Sequence, residues 1–89
     1  MAFLNTPIAF FIHRDGYCEL CNKEAARILD EKTPEKIYGK YLINYIVPEQ
    51  RGVAMNRLKE ALGGKDLDFI PYQITNAKGK KVNVELKSI

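Results

Sequence analysis

The stretch that most restricts what this chain can fold into runs from Pro48 to Gly64. Proline fits the first position of a helix, where its missing N–H is not needed. Glu49 beside it suits the positive helix end. Gly63-Gly64 stops what Pro48 starts. Between them Ala54, Leu58, Ala61 and Leu62 recur at i, i+4, i+7 and i+8, one face of a helix, while Arg51, Lys59 and Glu60 fall elsewhere. The spacing predicts a helix from Pro48 to about Leu62 that buries Leu58 and Leu62 against a sheet.

Hairpins are expected on both sides of it. Arg14-Asp15-Gly16 separates the apolar runs Ile8 to Ile12 and Tyr17 to Cys21, a hairpin signal. In the first run Ile8, Phe10 and Ile12 share one face and Ala9, Phe11 and His13 the other. Both faces are largely apolar, so this strand is either sandwiched or offers a face to a partner. Leu67 to Thr75 and Lys81 to Ser88 form the second hairpin, joined around Asn76-Ala77-Lys78-Gly79. Pairing 74 with 82, 72 with 84 and 70 with 86 puts Ile70, Tyr72, Ile74, Val82, Val84 and Leu86 on one buried side. Pro71 lacks an N–H, which makes 67–75 an edge strand.

The segment between the first hairpin and the long helix reads as short turns of helix. Asn22 is a good N-cap for residues 23–30, with Ala25, Ile28 and Leu29 on the apolar side. Thr33-Pro34 opens a single turn that ends near Gly39, and Tyr41 to Ile46 forms another. Residues 1–7 read as a tail with a turn at Asn5-Thr6-Pro7.

The chain has 89 residues and a formal net charge of +3, enough for one small domain with a thin stability margin. Such a mild charge does not argue for nucleic acid or a membrane surface. The longest apolar run, Ile8 to Ile12, is far too short to span a bilayer. With no signal-peptide pattern, the expected location is the cytoplasm. Lys78, Lys80 and Lys81 make a basic tip that reads as a solvated turn.

Cys18-Glu19-Leu20-Cys21 is a C-x-x-C with His13 nearby across the hairpin. On a regular strand, i to i+3 spans about 10 Å, whereas a disulfide needs Cα atoms within roughly 7 Å. The two side chains also alternate to opposite faces. They read as reduced thiols in a strand; a metal or redox site, or a thiol switch through Cys18 or Cys21, is the competing reading. Zinc usually takes four ligands, and no second Cys/His cluster exists. No nucleophile–base pair or phosphate loop is visible, so an enzyme is not expected.

The order strand, strand, short helices, long helix, strand, strand resembles a PAS domain, over roughly residues 6–89. The residues that carry the resemblance are Asp15-Gly16 in the first hairpin, Asn22 with Ala25-Ala26, Ile37-Tyr38-Gly39-Lys40, Pro48-Glu49-Gln50-Arg51, Gly79 and Glu85. Gln50 stands where the family usually has Asp, and Asp30 where it usually has Gly. The family's sheet has five antiparallel strands; the sequence holds four, the absent one being last in sequence and middle in space.

The resemblance implies an α+β fold, an antiparallel sheet with helices on one face, and a sensory module regulating an output domain such as a histidine kinase or a cyclic-dinucleotide enzyme. In haem-binding members the iron ligand lies on the long helix, and residues 48–62 hold no His. In flavin-binding light sensors a Cys lies on the short helix before it, and residues 33–46 hold no Cys. Haem and covalent flavin are therefore not expected, and any other ligand stays unnamed. Ala54, Met55, Leu58 and Leu62 with Tyr72 and Val84 either line a ligand cavity or form plain core. Asn44 and Tyr45 either contact the ligand or cap and cover a turn. A missing middle strand leaves two rows of backbone groups unpaired. That predicts a homodimer through Phe11 and the strand bearing Val82, Val84 and Leu86, unless strand 81–88 closes directly onto the first. A module that only dimerises, with no ligand, is the alternative function.

Overall fold

The computed structural model describes residues 8–64 and 69–89; the expected tail 1–7 and the first residues of the strand from Leu67 lie outside them. Four strands, β1 (Ala9–Arg14), β2 (Tyr17–Cys21), β3 (Ile70–Thr75) and β4 (Lys81–Ser88), and two helices, α1 (Lys23–Ile28) and α2 (Pro48–Leu62), are joined by 3-10 turns at Pro34–Lys36 and Leu42–Tyr45. The fold is α+β.

Asp15 and Gly16 both have positive φ, 54° and 91°, the pair of left-handed residues that a two-residue hairpin turn requires. Asn22 starts α1 by accepting a hydrogen bond from the Ala25 N–H at 3.0 Å. After the C-cap Leu29 comes Asp30 at φ 57°, with Asp30 N donating to Arg27 O and Glu31 N to Ala26 O. These are the two bonds of a Schellman helix end. The position where the resemblance expects Gly is thus a left-handed one, filled by a residue type that tolerates it.

The strand order is β2-β1-β4-β3. β3 and β4 pair in the register expected from the sequence, Ile74 with Val82, Tyr72 with Val84 and Ile70 with Leu86, and β3 lies at the edge. The Gln73 N–H points away from β4, to Gln50 Oε1 at 2.7 Å. Pro71 has the same parity, so its missing N–H costs the ladder nothing.

The expected all-antiparallel sheet is corrected: β1 and β4 pair directly and run parallel, Ala9 against Val84 through His13 against Ser88. This closes the backbone rows whose exposure was the reason to expect a homodimer. Its expected interface residues are corrected with it. Phe11, Val84 and Leu86 are buried in one cluster with Ala25, Ile37, Ile43 and Ala54 of the helical layer, and Val82 packs against that cluster. Period-2 alternation sends Ala9, Phe11 and His13 to the helices and Ile8, Phe10 and Ile12 to the opposite side.

α2 also departs from expectation. Its buried residues are Ala54 and Leu58, whereas Leu62 is 61% exposed. The buried stripe is one turn long, and the last turn carries Leu62 past the sheet.

Candidate functional site

The expected cavity between α2 and the sheet is nearly filled. What remains is about 20 Å³, lined by Ala54, Leu58 and Tyr72 together with His13, Arg57 and Ser88 among others. That holds a single water, not a metabolite. Arg57 lies 5.7 Å from the centre of the Tyr72 ring, and its guanidinium donates to the Tyr72 hydroxyl at 3.3 Å. Val84 is core and does not line the cavity. Asn44, Met55 and Leu62 are on the surface, Met55 taking a hydrogen bond from the Tyr41 hydroxyl at 3.7 Å. Tyr45 is half-buried and packs against the core. The structure therefore brings together three of the eight expected pocket residues, Ala54, Leu58 and Tyr72, around a space too small for a ligand.

His13 closes one end of this space. Its Nδ1 accepts from the Gly16 N–H at 3.1 Å, so the ring is fixed by its own hairpin. Burial holds its pKa below the ordinary imidazole value, with a smaller opposing pull from Asp15.

A larger cleft, about 610 Å³, opens on the other side of the helical layer. One wall is α1 with Lys23, Ala26 and Arg27; the other is the 3-10 turn with Thr33, Pro34 and Tyr38; the floor is Leu20 and Cys21 at the end of β2. The volume lies in the range of small-molecule sites, which combine an apolar lining with a few polar groups. Of these residues only Cys21 stood out in the sequence as a candidate for chemistry; Ala26, Thr33, Pro34 and Tyr38 marked local structure. The others come from three short elements with no periodicity to relate them.

Cys21 at the floor and Cys18 further back on β2 correct the expectation of opposite faces. β2 carries a bulge: Ile12 pairs with Leu20 and His13 with Cys18, which leaves Glu19 as an extra residue. An extra residue reverses the alternation beyond it. Cys18 and Cys21 consequently both face the core, 3% and 1% exposed, the Cys18 thiol donating to Leu20 O and the Cys21 thiol to Pro34 O, each at 3.6 Å. The neighbouring Cys18 sulfur, with burial added, pushes the Cys21 thiol strongly up. Glu19 turns outward to an ion pair with Arg14 at 3.1 Å. Among the described residues no group of three or more His, Cys, Asp or Glu side chains is arranged to hold a metal ion.

A third concave surface, about 430 Å³, lies on the sheet face away from the helices. Ile8, Phe10, Ile12, Phe69 and Ile89 line it, with Glu85 and Lys87. The Phe10 and Phe69 rings meet edge to face at 5.8 Å. Among the described residues no helix is long and apolar enough to cross a membrane.

No protein-family profile matches the chain, and no curated protein matches it.

Proposed function

We propose that this chain is a PAS-like regulatory module of a larger signalling protein, in which a small molecule or partner engages the cleft between α1 and the turn at Pro34 and the change is passed to an attached output domain such as a histidine kinase or a cyclic-dinucleotide enzyme. The observation that carries the reading is the placement of a ligand-sized concavity, about 610 Å³, in the helical layer. Its walls are short elements, α1 and the turn at Pro34, whereas the helix–sheet interior is filled. Binding there can shift the 33–40 segment, the kind of element that transmits a contact. The strand order supports the family analogy. Removing the middle strand from an all-antiparallel five-stranded sheet of the family's order leaves two parallel neighbours, and β1 and β4 run parallel. The output domain rests on fold-level analogy.

The test is a small-molecule screen followed by amide NMR shifts. Binders should move Leu20, Ala26 and Tyr38 and leave Ile43 and Leu58 still. Shifts centred on Ile43 and Leu58 would replace the cleft with the interior as the site, and no binder from a broad library would remove the sensor reading.

A second reading is a ligand-free module that pairs with a second copy through the outer sheet face. It is favoured by Glu85 and Lys87, two positions apart on β4 beside the apolar groove. A two-fold axis across that face sets each Glu85 against the Lys87 of the other copy. Light scattering at tens of micromolar decides it: a monomer unaffected by Glu85→Lys ends this reading.

A further inference from the structure

We propose that Cys18 and Cys21 form a reversible dithiol–disulfide pair whose closure moves the Pro34–Lys40 segment and reshapes the cleft beside α1. A regular strand would keep these side chains apart. The bulge at Glu19 brings them to the same face, where both are buried as free thiols. Both are also tied to the segment that forms the cleft wall. The Cys18 N–H donates to Lys40 O at 2.9 Å, the Gly39 N–H donates to Cys18 O at 2.8 Å, and the Cys21 thiol donates to Pro34 O at 3.6 Å. A sulfur–sulfur bond needs the two residues closer than a thiol contact. The bulge, whose extra residue is unpaired in the ladder, is where the strand can take up that shortening. Closure removes the donor from Pro34 O and draws on Gly39 and Lys40 through the Cys18 backbone. Pro34 and Tyr38 lie between these ties and line the cleft.

Because both thiols are closed to bulk solvent, the oxidant has to be small and uncharged; hydrogen peroxide fits. The Cys21 side chain beside it lowers the pKa of the Cys18 thiol, which makes Cys18 the first to ionise, and the thiolate is the nucleophile. The Cys18 sulfur attacks one peroxide oxygen, breaking the O–O bond. It becomes a sulfenic acid, and the leaving hydroxide takes up a proton as water. The Cys21 sulfur then attacks the sulfenic sulfur, losing its own proton, and the hydroxyl leaves as a second water. Two thiols and one peroxide give one disulfide and two waters. A dithiol reductant reverses the change by two exchange steps and is itself oxidised to a cyclic disulfide.

The disulfide does not depend on the reading of the cleft as a ligand site; only its effect on ligand binding does. The test exposes the folded protein to hydrogen peroxide, then unfolds and alkylates it. A mass loss of about 2 Da is expected, for the two hydrogens removed, with neither cysteine alkylated and full reversal by dithiothreitol. Amide shifts between the two forms should concentrate at Pro34–Lys40 and spare Ile74 and Val82. Cys18→Ser and Cys21→Ser should each show over-oxidation of the remaining sulfur in place of the 2 Da loss, with Cys18→Ala and Cys21→Ala substituting if the serine variants fail to fold. Two alkylatable thiols after exposure, a disulfide between molecules, or a closed disulfide that leaves the 34–40 amides unmoved would each overturn the proposal. A cleft that binds no small molecule, with the disulfide intact, counts against the function above and not against this pair.

Discussion

The side-chain oxygen of Asn22 accepts from the Phe10 backbone N–H at 3.2 Å. The same amide donates from Nδ2 to Ile8 O at 2.8 Å and accepts from Ala25 N to cap α1. One side chain, 1% exposed, thus extends the sheet past the end of β2 and starts the helical layer. Asn22→Ala removes the cap and leaves the Phe10 N–H buried without this acceptor, for an expected loss of about 2–4 kcal/mol. Asn22→Asp keeps the acceptor and loses only the donor to Ile8 O, and should fall between the two. Urea unfolding followed by circular dichroism measures both.

Asp30 offers a gain. A non-glycine residue in the left-handed region is strained, and this one ends a Schellman turn. Asp30→Gly should raise stability by about 0.5–1 kcal/mol, since the relief of strain outweighs the added freedom of the unfolded chain. A thermal melt that moves down would show that the Asp30 side chain contributes more than its backbone costs.

Two glycines with positive φ should respond unequally to alanine. A Cβ at Gly16 would stand 2.6 Å from Cε1 of Tyr41, whereas one at Gly79 meets nothing within 4 Å. Gly79→Ala should cost about 1–2 kcal/mol from backbone strain alone. Gly16→Ala should cost about 2–4 kcal/mol, because the Tyr41 ring must also give way. Equal costs in chemical denaturation would mean that the ring moves freely.

Acid should weaken the fold through His13. Its folded pKa lies below its ordinary value, so the unfolded chain takes up the proton first as pH falls. The contribution of the neutral ring is complete above the ordinary value of about 6.5 and is lost progressively as pH drops toward the lowered folded pKa. Protonation also ends the Nδ1 acceptance from Gly16. Stability measured from pH 7.5 to pH 5 should fall, and His13→Gln should flatten that part of the slope. An unchanged slope would place the acid sensitivity elsewhere.

On α2 the two leucines separate. Leu58→Ala should cost about 2–5 kcal/mol, enough to unfold much of a marginal domain, while Leu62→Ala at an exposed site should stay within about 0.5 kcal/mol. Denaturant midpoints of the pair test how far along the helix the core extends.

The sequence was most legible where a local rule decides the outcome. Pro48 and Gly63 bound α2, Asn22 caps α1, Asp15-Gly16 turns the first hairpin, and alternation set the β3–β4 register. It was least legible where distant pieces meet. The parallel contact of β1 with β4 depends on which edges are left to pair, and no residue in either strand announces it. Phe11 was placed on the wrong side because both faces of β1 are apolar, so alternation gave the grouping without saying which group faces the helices. Leu62 continued a correct period past the end of the surface that the period serves. The two thiols were separated by a parity argument that holds only for a regular strand; one extra residue at Glu19 reversed it. The cleft left no mark because its lining comes from β2, α1 and a turn, each contributing one or two side chains at unrelated spacings.

The pairing of β1 with β4 also sets an order of events. β1 is synthesised before β4, with every other described element between them, yet each lies in the interior of the sheet and uses the other as a neighbour. During synthesis the first hairpin must wait, one edge of β1 open, until β4 has emerged. Contacts so distant in sequence are slow to form because a long loop has to close first. Over that interval Phe10, Phe11 and Ile12 form an uncovered apolar edge, so the sheet's greatest exposure to mispairing comes before β4 is in place.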